Sequence, residues 1–184
     1  MSQRVTSAEV VRTGNFLLPR TRVVEMVLEA KATESKSSGN PMIVLETEVI
    51  AGPDGGETVT VNGQQCKIAG MKITRYLSLS DKALVQFFDL QKRLGMQEGV
   101  IKGDDGKIHA EDNQEIADEF KGKALSTLIS TQPDMPQTKN EATGQYEAIL
   151  GEDGKPIING YKVATQTSDI LGLSKMAAPN TTAF

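Results

Sequence analysis

Between Arg22 and Thr33 the chain reads RVVEMVLEAKAT, with Val24, Met26, Leu28 and Ala30 alternating against Val23, Glu25, Glu29 and Lys31. A period of two over this length argues a half-buried strand. ESKSSGNP (34–41) follows, and Ser, Gly, Asn and Pro in succession signal a turn. MIVLETEVIAG (42–52) then repeats the alternation, with Ile43, Leu45 and Val49 on one face and Glu46 and Glu48 on the other. Two such runs joined by a short polar turn predict an antiparallel hairpin. PDGGETV is another turn, and VTVNGQQCKIAGMKITRYLSLS supplies one or two more strands, with Asn62-Gly63 as a tight turn. In KITRYLSLS, Ile73, Leu77 and Leu79 face the core while Lys72, Thr74 and Tyr76 face away. Arg75 falls on the apolar side, which signals a bulge or a different register.

The period changes at Ser80. SDKALVQFFDLQKRL (80–94) spaces Leu84, Phe87, Phe88, Gln91 and Leu94 as one helical stripe. Ser80 is placed to cap its N-terminus, and Gly95 suits the position just past its C-terminus. Residues 99–113 read as a Gly/Asp loop, and Gln114–Phe120 as a helical turn or two. KALSTLIST is a strand, PDMPQTKNEATG a long loop, and YEAILGEDGKPIINGYKVAT a hairpin around Glu152-Asp153-Gly154. The chain thus divides into an N-terminal arm (1–13), a folded domain (14–167) and a weakly structured C-terminal tail (168–184). Strand-strand-strand-helix-strand-strand is the order of the OB-fold, a mainly β, five-stranded Greek-key barrel with one helix between strands 3 and 4. Its sheet face and adjoining loops take oligonucleotides or oligosaccharides.

Composition removes several chemistries. The single cysteine, Cys66, excludes an intramolecular disulfide and a cysteine-based zinc site, and the single histidine, His109, excludes sites built from several histidines. One thiol and no secretory signature suit a reducing cytoplasm. No apolar run approaches the roughly 20 residues of a membrane span. GDDGK lacks the spacing of a calcium loop, and the paired acids Asp104-Asp105 and Glu111-Asp112 have no nucleophilic or basic partner, so no catalysis, metal or cofactor is expected. His109 has no evident partner, and Cys66 reads as a small packed hydrophobe. The net charge of −4 means that any polyanion-binding face must be segregated from acidic surface.

RVVEMVLEAKATESKSSGNPMIVLETEVIAG resembles the first hairpin of phage-encoded single-stranded DNA-binding proteins with an OB fold: an alternating strand carrying Lys, a Ser/Lys/Gly/Asn turn (Ser35–Pro41), then Met42 and alternating hydrophobics. Phe120-Lys121-Gly122-Lys123 resembles the start of their fourth strand, and Phe184 matches their terminal aromatic. The resemblance implies sequence-independent binding of single-stranded DNA in phage replication or recombination, in host cytoplasm. It also implies that the tail reaches replication or recombination proteins, and it leaves room for a homo-oligomer.

Such a binder needs cations to track phosphates and flat rings for bases to stack on. The phosphate candidates are Arg22, Lys31, Lys36, Lys72, Arg75, Lys123 and Lys162, with Arg20 and Lys67 beside them. The stacking candidates are Tyr76, Tyr146 and Tyr161, with Phe16 as an outsider, while Phe87 and Phe88 have core spacing. Two rivals stand beside this reading: a structural or oligomerising barrel module of a virion or assembly, which low aromatic content and negative charge also fit, and a small nuclease.

Overall fold

The structure is a computed structural model, and it describes residues 11, 16–159, 161–164 and 166–175. The N-terminal arm, apart from Val11, and the terminal Phe184 lie outside the described residues. The strands are β1 (Thr21–Glu34), β2 (Pro41–Ala51), β3 (Thr58–Val61), β4 (Gln64–Lys67), β5 (Lys72–Ser78), β6 (Ala124–Pro133), β7 (Gln137–Lys139), β8 (Tyr146–Ala148), β9 (Tyr161–Ala164) and β10 (Ile170–Leu173). Two helices, α1 (Leu84–Arg93) and α2 (Gln114–Asp118), lie between β5 and β6.

The main sheet runs β10-β6-β1-β2-β5, every pair antiparallel. Its two ends nearly meet, with Arg75, Tyr76 and Leu77 of β5 facing Gln166, Thr167 and Ile170 across a narrow seam. This is the OB-like Greek-key barrel expected from the element order. The β3–β4 hairpin is an insertion, turned at Asn62 (φ 50°) and Gly63 (φ 76°), the positive-φ pair that a two-residue hairpin turn needs. The last barrel strand is broken into β9 and β10, which pair with successive stretches of β6 around a 3₁₀ turn at Thr167–Asp169. Arg20 Nη2 donates to Asp169 Oδ1 at 3.0 Å and pins that turn to the entry of β1.

The core has two apolar clusters with a polar layer between them. One cluster packs Ile43, Leu45, Leu77 and Leu125 against Phe87, Leu90 and Leu94 of α1 and Phe120 after α2. The other joins Phe16, Leu18, Val23, Val49, Ile73 and Ile129 to Cys66 and Ile68 of the insertion. In the middle Glu25 and Arg75 pair, 0% and 2% exposed. Arg75 Nε donates to Glu25 Oε2 at 2.8 Å and Nη2 to Oε1 at 2.5 Å. The Thr47 and Thr127 hydroxyls donate to the same carboxylate at 3.1 and 2.9 Å. The Nη1 atom of Arg75 is buried without a partner among the described residues.

Several expectations are corrected. Arg75 sits in regular register opposite Leu45, with no bulge, so its place on the apolar face is real. The inward face of β1 begins as Val23, Glu25 and Val27, not Val24, Met26 and Leu28, and irregularities after Val24 and Val27 then bring Ala30 inside. α1 starts at Leu84 behind Ala83, with no side-chain cap; the Ser80 hydroxyl accepts from Ser78 Oγ at 3.0 Å instead. At its far end Gly95 (φ 65°) donates to Lys92 O and Met96 to Gln91 O, the paired bonds of a glycine-terminated helix. The stretch 133–144 carries β7, which pairs with β8, so Tyr146–Ala148 is not the partner of the 156–165 segment. The expected hairpin around Glu152–Gly154 does form, through the antiparallel bridge of Leu150 with Pro156 and Ile157 N to Ile149 O (2.9 Å), but Tyr161–Ala164 joins β6. The folded domain also runs past residue 167: β10 is in the sheet and Ile170 is in the core.

Removing one partner of a buried ion pair leaves an uncompensated charge, at a cost of about 3–5 kcal/mol. Arg75→Leu is therefore expected to lose that much stability in urea unfolding, and the double variant Glu25→Leu/Arg75→Leu to recover most of it.

Candidate nucleic-acid interface

The register of β1, β2 and β5 orders the outer face of the barrel into rows. Lys31 lies opposite Val44 and Val44 opposite Tyr76, so one row reads Lys31–Val44–Tyr76. The row spans two strand spacings, roughly 10 Å. Lys31 is exposed and forms no ion pair among the described residues, and Tyr76 is 60% exposed. The next row toward the hairpin tip reads Thr33–Met42–Ser78. Beyond it lies Lys36, exposed and without an ion pair among the described residues, in a turn closed by Ser35 N to Asn40 O (2.8 Å) and Gly39 N to Ser35 O (2.7 Å). Gly39 has φ 72°, which a side chain there would resist.

In the opposite direction the face turns acidic. Glu29, Glu46 and Thr74 form one row, and Glu48 lies opposite Lys72. Lys72 Nζ is 3.1 Å from Glu48 Oε2, so its charge is already matched. Lys121 is paired with Glu29 at 3.3 Å and with Asp118 at 3.4 Å, and these carboxylates, Glu29 first, hold its ammonium above the ordinary range.

The remaining candidates separate. Arg75 is inside the barrel and meets no ligand on the outer face; Phe16 is core. Arg20 and Lys162 are engaged by Asp169 (3.0 Å) and Asp134 (3.4 Å). Arg22, Lys67 and Lys123 form no ion pair among the described residues; Lys123 is half-buried at the entry to β6. Tyr146 and Tyr161 are both exposed, but on the excursion after β6, at the end of the barrel away from the Lys36 turn. Tyr146 lies opposite Lys139 there, a cation and ring pairing that the sequence pattern does not reveal because Gln137–Lys139 is polar and exposed throughout.

A cleft beside the hairpin tip is lined by Glu34, Asn40, Asp81, Lys102, Lys107 and His109. His109 does have a partner, since its Nε2 lies 2.8 Å from Asp105 Oδ2. Asp105 raises the imidazole pKa above its ordinary 6.5. The backbone N–H of Lys107, and then His109, hold the Asp105 carboxyl below its ordinary 3.8. Asn113 fixes the same loop through Ile101 and His109, with bonds of 2.7–3.0 Å.

Among the described residues no three His, Cys, Asp or Glu side chains gather into a metal site, and no helix is long and apolar enough to cross a membrane. No protein-family model matches the chain, and no curated protein matches it.

The His109–Asp105 attraction is complete only while both groups are charged. It fades as pH rises through the raised histidine value and as pH falls through the lowered aspartate value. Titration of His109 by NMR is expected to show a pKa above 6.5, which Asp105→Asn returns toward 6.5.

Proposed function

We propose that this protein binds single-stranded DNA with little sequence preference and serves phage DNA replication or recombination in the host cytoplasm. The observation that carries the reading is the Lys31–Val44–Tyr76 row, which sets a cation with no ion pair among the described residues and an exposed ring on one face of the barrel. Lys31 takes a phosphate, Tyr76 stacks a base, and the exposed Lys36 in the hairpin turn takes a further phosphate. Stacking contributes about 1–3 kcal/mol per base and is indifferent to base identity. Arg75 has no part in it, being buried with Glu25, and Lys72 meets a phosphate only by exchanging its Glu48 partner.

A second reading, an oligomerising barrel module, is favoured by one observation. Met135, Tyr146, Ile149, Leu150, Ile157 and Ile158 are all exposed on the excursion between β6 and β9. Sedimentation distinguishes it: oligomers that dissociate in Leu150→Asp/Ile158→Asp support assembly through this surface.

Fluorescence anisotropy with oligothymidylate tests the first reading. Affinity should fall with salt, and Lys31→Glu/Lys36→Glu should reduce the log–log slope by about 1.4, about 0.7 for each phosphate no longer neutralised. Tyr76→Ala should weaken binding by about 1–3 kcal/mol, whereas Lys72→Gln should leave it nearly unchanged. A salt-independent affinity, or full binding by the Lys31/Lys36 variant, rejects the proposal.

A further inference from the structure

We infer that the outer groove between the start of β1, the end of β2 and β10 is a second phosphodiester site, in which Arg22 and Lys175 hold phosphate beside Pro53 and Leu173. The inference rests on the single-strand reading above and extends the path of that strand.

The groove has a volume of about 420 Å³, and Arg22, Val24, Gly52, Ser126, Leu173 and Lys175 are among its lining residues. Val24 lies opposite both Ala51 and Ser126, and Gly172 lies opposite Ser126, so the floor is sheet and the walls are backbone.

Charge separates this groove from the other large ones. The cleft at the hairpin tip mixes Lys102 and Lys107 with Glu34 and Asp81, and the groove beside α2 is lined by Glu98, Glu115 and Glu119 and by no cation. The Arg22 groove has two cations and no carboxylate among its lining residues. Arg22 forms no ion pair among the described residues, while nearby Arg20 is held by Asp169. In a chain of net charge −4, a cationic groove with no acid is where a polyanion can settle. A guanidinium presents paired donors to a phosphate, and the apolar side chains of Pro53 and Leu173 offer a base or sugar a surface that a bare inorganic anion cannot use.

Position connects the two sites. Arg22 and Lys31 are both exposed on β1, roughly 30 Å apart at about 3.3 Å per residue. Between them Glu29 is matched by Lys121, and Lys123 enters beside Val27, whose N–H bonds the Lys123 carbonyl at 3.0 Å. The route along β1 is thus less repulsive than the route along β2 and β5, where Glu46 is bonded only to the Thr74 hydroxyl among the described residues.

Anisotropy with oligothymidylates of about 4 and about 16 nucleotides, the span of site sizes known for OB folds, tests this. In Arg22→Ala/Lys175→Ala the long strand should bind more weakly and its log–log salt slope should fall by about 1.4. Binding of the short strand and the thermal midpoint should stay as in the wild type. Unchanged long-strand binding in this variant overturns the inference, and so does an equal loss for both lengths, which would put Arg22 in the first site. In either case Lys31→Glu/Lys36→Glu still weakens both lengths if the single-strand reading holds. A wild-type protein that binds neither length removes that reading and this inference together.

Discussion

The barrel is organised around one buried carboxylate. Glu25 accepts from Arg75 on β5, Thr47 on β2 and Thr127 on β6, so a single side chain of β1 bonds three other strands at once. Burying an ion pair is costly, and an apolar pair of similar volume is often at least as stable. What the polar layer adds is register. A strand slipped by one residue turns its side chains to the other face, and here the slip would carry Thr47, Arg75 or Thr127 away from Glu25 and leave the carboxylate short of donors. The layer also divides the interior, so each end of the barrel needs its own cover. The helices close one end, and the β3–β4 insertion with Phe16 and Leu18 closes the other.

The same strand that carries Glu25 inside carries Lys31 outside, although the two positions have equal parity. The irregularity after Val27 makes that possible. Past it β1 loses β6 as a partner, because their pairing stops at Met26 opposite Ala124. The Gln114 side chain then substitutes for a strand: it accepts from Ala32 N at 2.9 Å and donates to the Ala30 carbonyl at 3.1 Å. α2 thereby protects an edge that would otherwise offer free backbone groups, on both sides of Lys31.

The parts of this architecture that could be read from the sequence are those with strong periodicity. β2 shows its inner and outer faces directly, α1 shows its stripe and glycine stop, and Asn62-Gly63 shows its turn. The parts that could not be read depend on tertiary pairing. β7 is polar on every side, and β10 is short and contains Gly172, so neither carries an alternation to detect. The inward face of β1 differs from its apolar alternation because its irregularities are invisible in a pattern of apolar residues. Arg75 is the informative exception: a cation in an apolar position signals a buried anion, and Glu25, flanked by valines, is the residue to match with it. The Lys31 and Tyr76 pairing was within reach, since both candidates came from alternation, but their shared row depends on a register that only the folded sheet supplies.

Overall charge is a poor guide to where a polyanion can approach this molecule. At physiological ionic strength interactions between exposed charges fade beyond about 8 Å, so distant carboxylates of the net −4 contribute little at any one surface point. Local matching decides instead. Along β2 and β5 the acids begin one row below Lys31 and Tyr76, with Glu46 unmatched by a cation among the described residues and Glu48 using Lys72. A strand seated on the Lys31 row is therefore repelled from that half of the sheet. It is left two directions: outward over the Lys36 turn, or along β1, where Lys121 offsets Glu29. The acidic rows would thus direct a polyanion on this face as much as the lysines would attract it.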